Sequence, residues 1–151
     1  GCGAAFGAKQ GRGSSLTFGK KMSRFQIASS PKKAGIFIDG ERFGRGYATD
    51  FIELARSGVS DGDYFLLTCG CGESGCAGLT EPIEVRSDEE KVYWHVIQPA
   101  PERWFTFTKS DYRKELKRMV TSVFELSKRS ASHIGYYGFD RERLREFADS
   151  L

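Results

Sequence analysis

The sequence predicts an α+β domain in which an antiparallel sheet is covered by helices. The middle of the chain holds short apolar runs that alternate with a period of two, which is the periodicity of strands. The connections between these runs are short, which favours an antiparallel meander of about five or six strands. The last third repeats apolar residues at helical spacing. Two C-terminal helices are therefore expected on one face of the sheet, and a further short helix is expected near residues 49–57.

The first expected strands lie near the N-terminus. Residues 25–28 alternate apolar and polar side chains and end at a Ser-Ser-Pro turn. Residues 36–38 (Ile-Phe-Ile) form a second apolar run. The Asp39-Gly40 pair that follows favours a two-residue hairpin turn, because both positions of that turn need positive φ angles.

A short helix and a buried strand are expected next. Thr49 or Asp50 can cap the helix, since both side chains accept hydrogen bonds from a first turn, and Gly58 can end it. Residues 64–69 (Tyr-Phe-Leu-Leu-Thr-Cys) are apolar on both alternating faces. This pattern is typical of a central strand that is covered on both sides.

Three more strands complete the expected meander, over residues 83–86, 92–97 and 104–108. Residues 92–97 alternate strictly, so the two faces of that strand are predicted to carry different side chains. Val92, Trp94 and Val96 share one face, and Tyr93, His95 and Ile97 share the other. The aromatic side chains of residues 104–107 are expected in the core, because the helix that follows needs a surface to bury against.

Two helices are expected to close the chain. Between residues 109 and 127, apolar side chains recur at helical spacing opposite a charged face. In the last helix, Asp140 can serve as the N-cap, and Leu144 begins a narrow apolar stripe.

Charge is unevenly distributed along the chain. The 151 residues carry a net charge of +3, but residues 1–33 hold seven cations and no acid, so residues 34–151 carry −4. A basic arm of this kind can contact nucleic acid. The arm has no folded basic face, so the stronger interpretation is that it is solvated and binds nothing. A protein partner is therefore favoured over nucleic acid. No apolar run approaches the roughly 18 residues of a membrane span, so no membrane partner is expected.

Domain organisation follows from the same composition. Residues 1–21 are rich in Gly, Lys and Ser without periodicity, so they are expected to be a disordered tail or vector-derived sequence. A single domain is expected over residues 22–151, which is long enough to bury a core without disulfides. Four cysteines, with Cys2 in the tail, fit a reducing cytoplasm better than a secreted disulfide framework.

The most locally specific segment is residues 69–78, Cys-Gly-Cys-Gly-Glu-Ser-Gly-Cys-Ala-Gly, for which three interpretations stay open. The loop can be structural, with thiols that pack on the core and glycines that supply tight turns. It can instead bind zinc through Cys69, Cys71 and Cys76, with His95 as the fourth ligand. In the third interpretation, Cys71 or Cys76 is the redox centre or nucleophile of an enzyme. A histidine on a strand face is more often a packing residue than a ligand.

The same loop carries a resemblance to known proteins. The run from residue 65 to residue 78, with Val92-Tyr93-Trp94 and Phe105-x-Phe107 before a helix, resembles a family of small uncharacterised bacterial proteins. Members of that family share a C-x-C-G-x-x-G-C-A-G loop, and the similarity covers roughly residues 36–125. The resemblance implies a bacterial, cytoplasmic protein and supplies no catalytic residues.

The leading hypothesis from the sequence is therefore a small cytoplasmic binding or adaptor domain. Its Cys-Gly loop is structural in this hypothesis, and zinc is the one candidate cofactor. The alternative is a thiol-dependent enzyme. The sequence specifies neither a substrate nor an oligomeric state.

Overall fold

The structure is a computed structural model of the chain, and it describes residues 21–30, 33–69, 78–124 and 141–151. These ranges contain nine strands and three helices in an α+β arrangement. In chain order the elements are β1 (Phe25–Ala28), β2 (Gly35–Ile38), β3 (Glu41–Phe43), β4 (Ala48–Thr49), α1 (Phe51–Ser57), β5 (Gly62–Tyr64), β6 (Leu67–Thr68), β7 (Ile83–Ser87), β8 (Lys91–Val96), β9 (Arg103–Thr108), α2 (Lys109–Phe124) and α3 (Arg141–Ala148).

The strands are divided among three antiparallel sheets. The largest has four strands in the order β9-β8-β7-β5, the second has the order β1-β2-β3, and the third pairs β4 with β6. The α+β class is confirmed, and β7, β8 and β9 form the expected meander. The single sheet of about five or six strands is not found.

The division into sheets arises where one central strand was expected, over residues 64–69. Tyr64 ends β5, which pairs with β7, whereas Leu67 and Thr68 form β6, which pairs with β4. Between them, the Leu66 carbonyl accepts a hydrogen bond of 2.9 Å from the Asp50 N–H. The chain is therefore bound to the start of α1 at this point and leaves the four-stranded sheet.

The predicted hairpin and the predicted helix cap are both confirmed. Asp39 and Gly40 connect β2 to β3 with φ angles of 54° and 84°, both in the left-handed region that a two-residue hairpin turn requires. Asp50 caps α1, because its Oδ1 accepts hydrogen bonds from the Ile52 and Glu53 N–H groups at 3.1 and 3.0 Å. Gly58 ends the helix.

Helix α2 packs across the inner side of the domain and holds β1 in place. The Glu115 carboxylate accepts a 2.8 Å hydrogen bond from the Ile27 N–H, and Arg118 donates to the Ile27 carbonyl. These bonds satisfy backbone groups of β1, which is an edge strand of its sheet. Helix α3 contacts α2 and α1 through the buried Leu144. The predicted N-cap Asp140 lies outside the described residues.

The core is centred on Trp94, which is 0% exposed. Its ring meets five other aromatic rings edge-on, at centroid distances of 5.2–6.5 Å: Phe25, Phe43, Phe105, Phe107 and Tyr112. Edge-to-face pairs of this kind contribute about 0.5–1.5 kcal/mol each beyond burial. This cluster joins the four-stranded sheet, the three-stranded sheet and α2.

A chain of hydrogen bonds passes through the same core. Trp94 Nε1 donates to Tyr112 Oη at 3.2 Å, Tyr112 Oη lies 2.6 Å from Ser57 Oγ, and Ser57 Oγ donates to the Leu54 carbonyl at 2.5 Å. Burial raises the pKa of Tyr112, so this phenol stays protonated. The network links the sheet, α2 and α1 through polar groups that are all satisfied.

None of the helices in the described ranges is long and apolar enough to cross a bilayer.

Candidate functional site

The four-stranded sheet has one face in the core and one face toward solvent. Strict alternation along β8 places Trp94 in the core and its neighbours on the opposite side, as the sequence predicted. We call the solvent side the outer face. Its charged and aromatic side chains come from seven strand residues: Asp63, Glu84, Arg86, Lys91, Tyr93, His95 and Trp104.

Four of these residues form a row that crosses every strand of the sheet. Trp104 on β9 is paired with His95 on β8, His95 with Glu84 on β7, and Glu84 with Asp63 on β5. Directly paired side chains on one face lie about 4.5–5.5 Å apart at Cβ, so each can contact the next. The register of the sheet therefore builds one continuous polar and aromatic surface.

The Trp104 ring is held flat against the His95 ring. The two ring centroids are 4.8 Å apart and the planes differ by 3°, yet Trp104 remains 45% exposed. His95 is itself fixed from both sides: its Nε2 lies 2.6 Å from Glu102 Oε2, and its Nδ1 lies 3.5 Å from Glu84 Oε1. Two carboxylates thus orient the imidazole, and the imidazole orients the exposed indole.

Arg86 forms ion pairs with the two acidic residues of the row, Glu84 and Asp63. Its guanidinium lies 3.0 Å from Glu84 and 3.5 Å from Asp63, and it also donates to the carbonyls of Gly62 and Val85. With Glu102 included, this surface carries three carboxylates and two cations, Arg86 and Lys91. The carboxylates of this surface therefore outnumber its Lys and Arg side chains.

Asp88 orders the neighbouring turn between β7 and β8. Its carboxylate accepts 2.8 Å hydrogen bonds from the Glu90 N–H, the Lys91 N–H and the Tyr93 hydroxyl. The bond from the Glu90 backbone is the main reason that the pKa of Asp88 lies below its usual value. This carboxylate therefore stays ionised, and it holds the Tyr93 ring at the border of the outer face.

An exposed aliphatic side chain extends the surface. Ile97 directly follows β8, has the same parity as His95, and is 41% exposed. Large apolar side chains that are this exposed are few in the described ranges, where the others are Met22, Val59 and Trp104. The surface therefore combines an exposed indole and an exposed isoleucine with carboxylates. This composition is more typical of a recognition surface than of a face that contacts only water.

Of the four residues predicted to bind metal, the structure describes two, Cys69 and His95. His95 lies on the outer face, whereas Cys69 follows β6 in a different sheet and is disulfide-bonded. Cys71 and Cys76 lie outside the described residues, as does Cys2. A disulfide sulfur does not bind zinc as a thiolate does, so zinc binding would require reduction of this bond. Within the described ranges, no cluster of three or more His, Cys, Asp or Glu side chains is arranged around a metal position.

Sequence reasoning missed Trp104, and the expectation that all the aromatics of residues 104–107 are core is wrong. Phe107 is buried and Phe105 is half-buried, but Trp104 faces solvent. The reason is the period of two: Phe105 and Phe107 face the core, so Trp104, which has the opposite parity, faces outward. That parity was the signal that could have found Trp104.

Comparison of the chain with family models, with curated proteins and with solved structures found no significant match. The resemblance to the bacterial family therefore stays a prediction, and the function has to be argued from the geometry above.

Proposed function

We propose that this protein is a binding domain that recognises a cationic segment of a partner protein on its outer face. The observation that carries the proposal is the exposed Trp104 ring, held parallel to His95 while Glu102 and Glu84 hold His95. A preorganised indole loses little conformational freedom when a partner binds, so more of the contact energy appears as affinity.

The chemistry of this surface matches a guanidinium or an ammonium group. Such cations are attracted to the face of an indole, with about 0.5–1 kcal/mol at exposed sites and more when water is excluded. Glu102 and Glu84 contact the His95 ring on which Trp104 stacks, and they supply the opposite charge. Ile97 adds apolar area at the same end. Tryptophan is also a residue type that often dominates the energy of protein interfaces.

The same charges argue against nucleic acid as the partner of this surface. Exposed aromatic rings on a sheet can stack bases, but proteins that use them surround them with cations that neutralise phosphates. Here the carboxylates of Asp63, Glu84 and Glu102 outnumber the two cations of the outer face, Arg86 and Lys91. A phosphate backbone would be repelled, whereas a basic peptide would be steered toward the surface.

The proposal is tested by titration with a hexa-arginine peptide followed by tryptophan fluorescence. Trp94 is fully buried, so a saturable change in emission reports on Trp104. We expect E102Q to weaken binding in this assay by at least about tenfold, which is about 1.4 kcal/mol. W104A lacks the reporter indole, so its binding is measured by isothermal titration calorimetry beside the unmodified chain, and the same loss is expected. Hexa-glutamate and an oligothymidine should not bind, and binding should weaken as salt is raised.

Two control variants test whether the peptide binds the outer face specifically. One removes a carboxylate elsewhere on the surface, and the other removes an exposed apolar side chain elsewhere. Glu41 is an exposed carboxylate on β3, and Val59 is 42% exposed after α1, so E41Q and V59A should bind the peptide within about twofold of the unmodified chain. Equal losses in E41Q and E102Q would show a diffuse acidic attraction and contradict the proposal. Stronger binding of oligothymidine than of hexa-arginine would do the same.

The Cys-Gly loop belongs to this proposal as a structural element, with zinc as the candidate cofactor. The Cys69 disulfide favours a second candidate, a thiol-dependent redox function. Metal analysis and a thiol count on protein recovered without added oxidant separate the two: one zinc per chain with masked thiols supports the first, and a metal-free disulfide that is reduced and reformed supports the second. The proposed cytoplasmic location predicts reduced thiols in the same sample.

A further inference from the structure

A second concave site lies on the opposite side of the four-stranded sheet from the outer face. The turn after α1, the end of β7 and the first turns of α2 enclose a cleft of about 150 Å³. Its polar lining comes from Ser57, Ser60, Asp61, Ser87, Lys109 and Arg113. A cleft of this size holds several waters or one small polar group.

The two cations of the cleft lie four residues apart on α2, so they share one face of that helix. Neither Lys109 nor Arg113 forms an ion pair with a carboxylate of the described ranges. Asp61 is the one carboxylate in the lining, and it accepts a 2.9 Å hydrogen bond from Ser87 Oγ. The lining therefore carries a net positive charge.

Both cations have donors that the described protein does not use. Lys109 Nζ donates to the Asp88 carbonyl at 2.9 Å and to Ser87 Oγ at 3.4 Å, which leaves the third of its N–H groups. One terminal nitrogen of Arg113 donates to the Ser150 carbonyl, which holds the side chain in place. The Arg113 Nε–H is buried and has no acceptor among the described residues. A buried donor without an acceptor is destabilising, so an acceptor supplied by a ligand would be favourable.

We propose that this cleft binds a small oxyanion, either a phosphate group or a carboxylate group. Lys109 and Arg113 supply the charge, and their unused N–H groups supply the hydrogen bonds. The guanidinium plane of Arg113 suits the two oxygens of either group. This inference is independent of the outer face, because none of the residues that line the cleft belongs to that surface.

The test uses inorganic phosphate and acetate as separate probes on the full chain. Amide chemical shifts are recorded during each titration, with the same concentration of chloride as the ionic-strength control. We expect saturable shifts centred on Ser60, Ser87 and Lys109 with one or both probes. Saturation with phosphate alone assigns a phosphate group, and saturation with acetate alone assigns a carboxylate group.

Charge-removing variants then locate the binding. We expect K109Q and R113Q each to weaken affinity for the bound probe by about tenfold, the usual effect of one charge-assisted hydrogen bond. Lys117 is an exposed cation on the same helix that does not line the cleft, so K117Q should bind within about twofold of the unmodified chain.

Two outcomes overturn the inference. The first is the absence of saturable shifts at the cleft with both probes, which needs no variant and so does not depend on whether R113Q folds. The second is an equal loss of affinity in K117Q and K109Q, which would show attraction to the helix as a whole.

Discussion

The two tryptophans lie on adjacent strands of one sheet but on opposite faces: one is in the core and the other faces solvent. Trp94 is completely buried, contacts five aromatic rings and donates its indole N–H to Tyr112. Trp104 is 45% exposed and stacks on His95. The difference comes from the parity of each residue along its strand, since the two residue types are identical. The inner face builds the domain, and the outer face is available for recognition.

The largest expected effect comes from removing each indole in turn. W94A deletes a buried aromatic side chain and should lower the free energy of unfolding by about 3–5 kcal/mol. W104A should lower it by less than about 1 kcal/mol, because the exposed ring loses little burial. Urea unfolding of both variants measures the comparison. Similar losses would mean that the outer face is part of the core.

Asp50 is a buried carboxyl group, in contrast to the exposed carboxylates of the outer face. Burial is the main cause that raises the pKa of Asp50 to about 6, with the nearby Glu53 carboxylate acting in the same direction, although the helix N–H groups lower it. The folded state therefore holds this proton more tightly than the unfolded state, whose pKa is 3.8. The protonated Asp50 carboxyl contributes about 3 kcal/mol to the free energy of unfolding. This contribution is fully present below pH 3.8 and is lost as the pH rises through about 6.

D50N isolates that contribution, because asparagine still caps a helix but does not ionise. We expect D50N and the unmodified chain to unfold with similar free energies near pH 4. D50N should be the more stable by up to about 3 kcal/mol near pH 7.5. Thermal or urea unfolding across this pH range gives the difference. A difference that does not change with pH would contradict the assignment.

A matched pair of tyrosines sharpens the comparison further. Y112F removes the acceptor of the Trp94 N–H inside the core, and it should cost about 1–3 kcal/mol because that donor is left buried and unpaired. Y93F removes the hydroxyl that bonds Asp88 beside the outer face, and its cost should be about 0.5 kcal/mol or less. Equal unfolding free energies for the two variants would break the distinction between the faces.

The smallest effect is expected for the ion pairs of the outer face. Arg86 joins Glu84 and Asp63, but all three side chains are about half exposed. R86A should change the free energy of unfolding by less than about 1 kcal/mol, and the change should shrink as salt is added. A loss as large as that of Y112F would show that these charges maintain the sheet.

Strand periodicity made a good part of this architecture predictable. The alternation of residues 92–97 separated Trp94 from His95, and the Asp39-Gly40 pair predicted the hairpin between β2 and β3. The division into three sheets was not predictable, because the pairing of β6 with β4 depends on backbone contacts between distant segments and leaves no local pattern.

The candidate site was only half predictable for a related reason. His95 was assigned to the outward side of its strand, but its partner Trp104 depends on the cross-strand register between β8 and β9. Glu102 lies before β9 and shows no periodicity that would connect it to the imidazole. The cleft that we propose for an oxyanion is formed by residues of α1 and the turn after it, β7 and α2, so no single stretch of sequence contains it.

The central claim is that the outer face is a recognition surface for a cationic segment. Its most direct test is a map of amide chemical shifts in the full chain during titration with the hexa-arginine peptide. The account predicts saturable shifts centred on Glu84, His95 and Trp104, with Trp94 and Tyr112 changed little. Shifts centred elsewhere, or spread evenly over every exposed carboxylate, would contradict it.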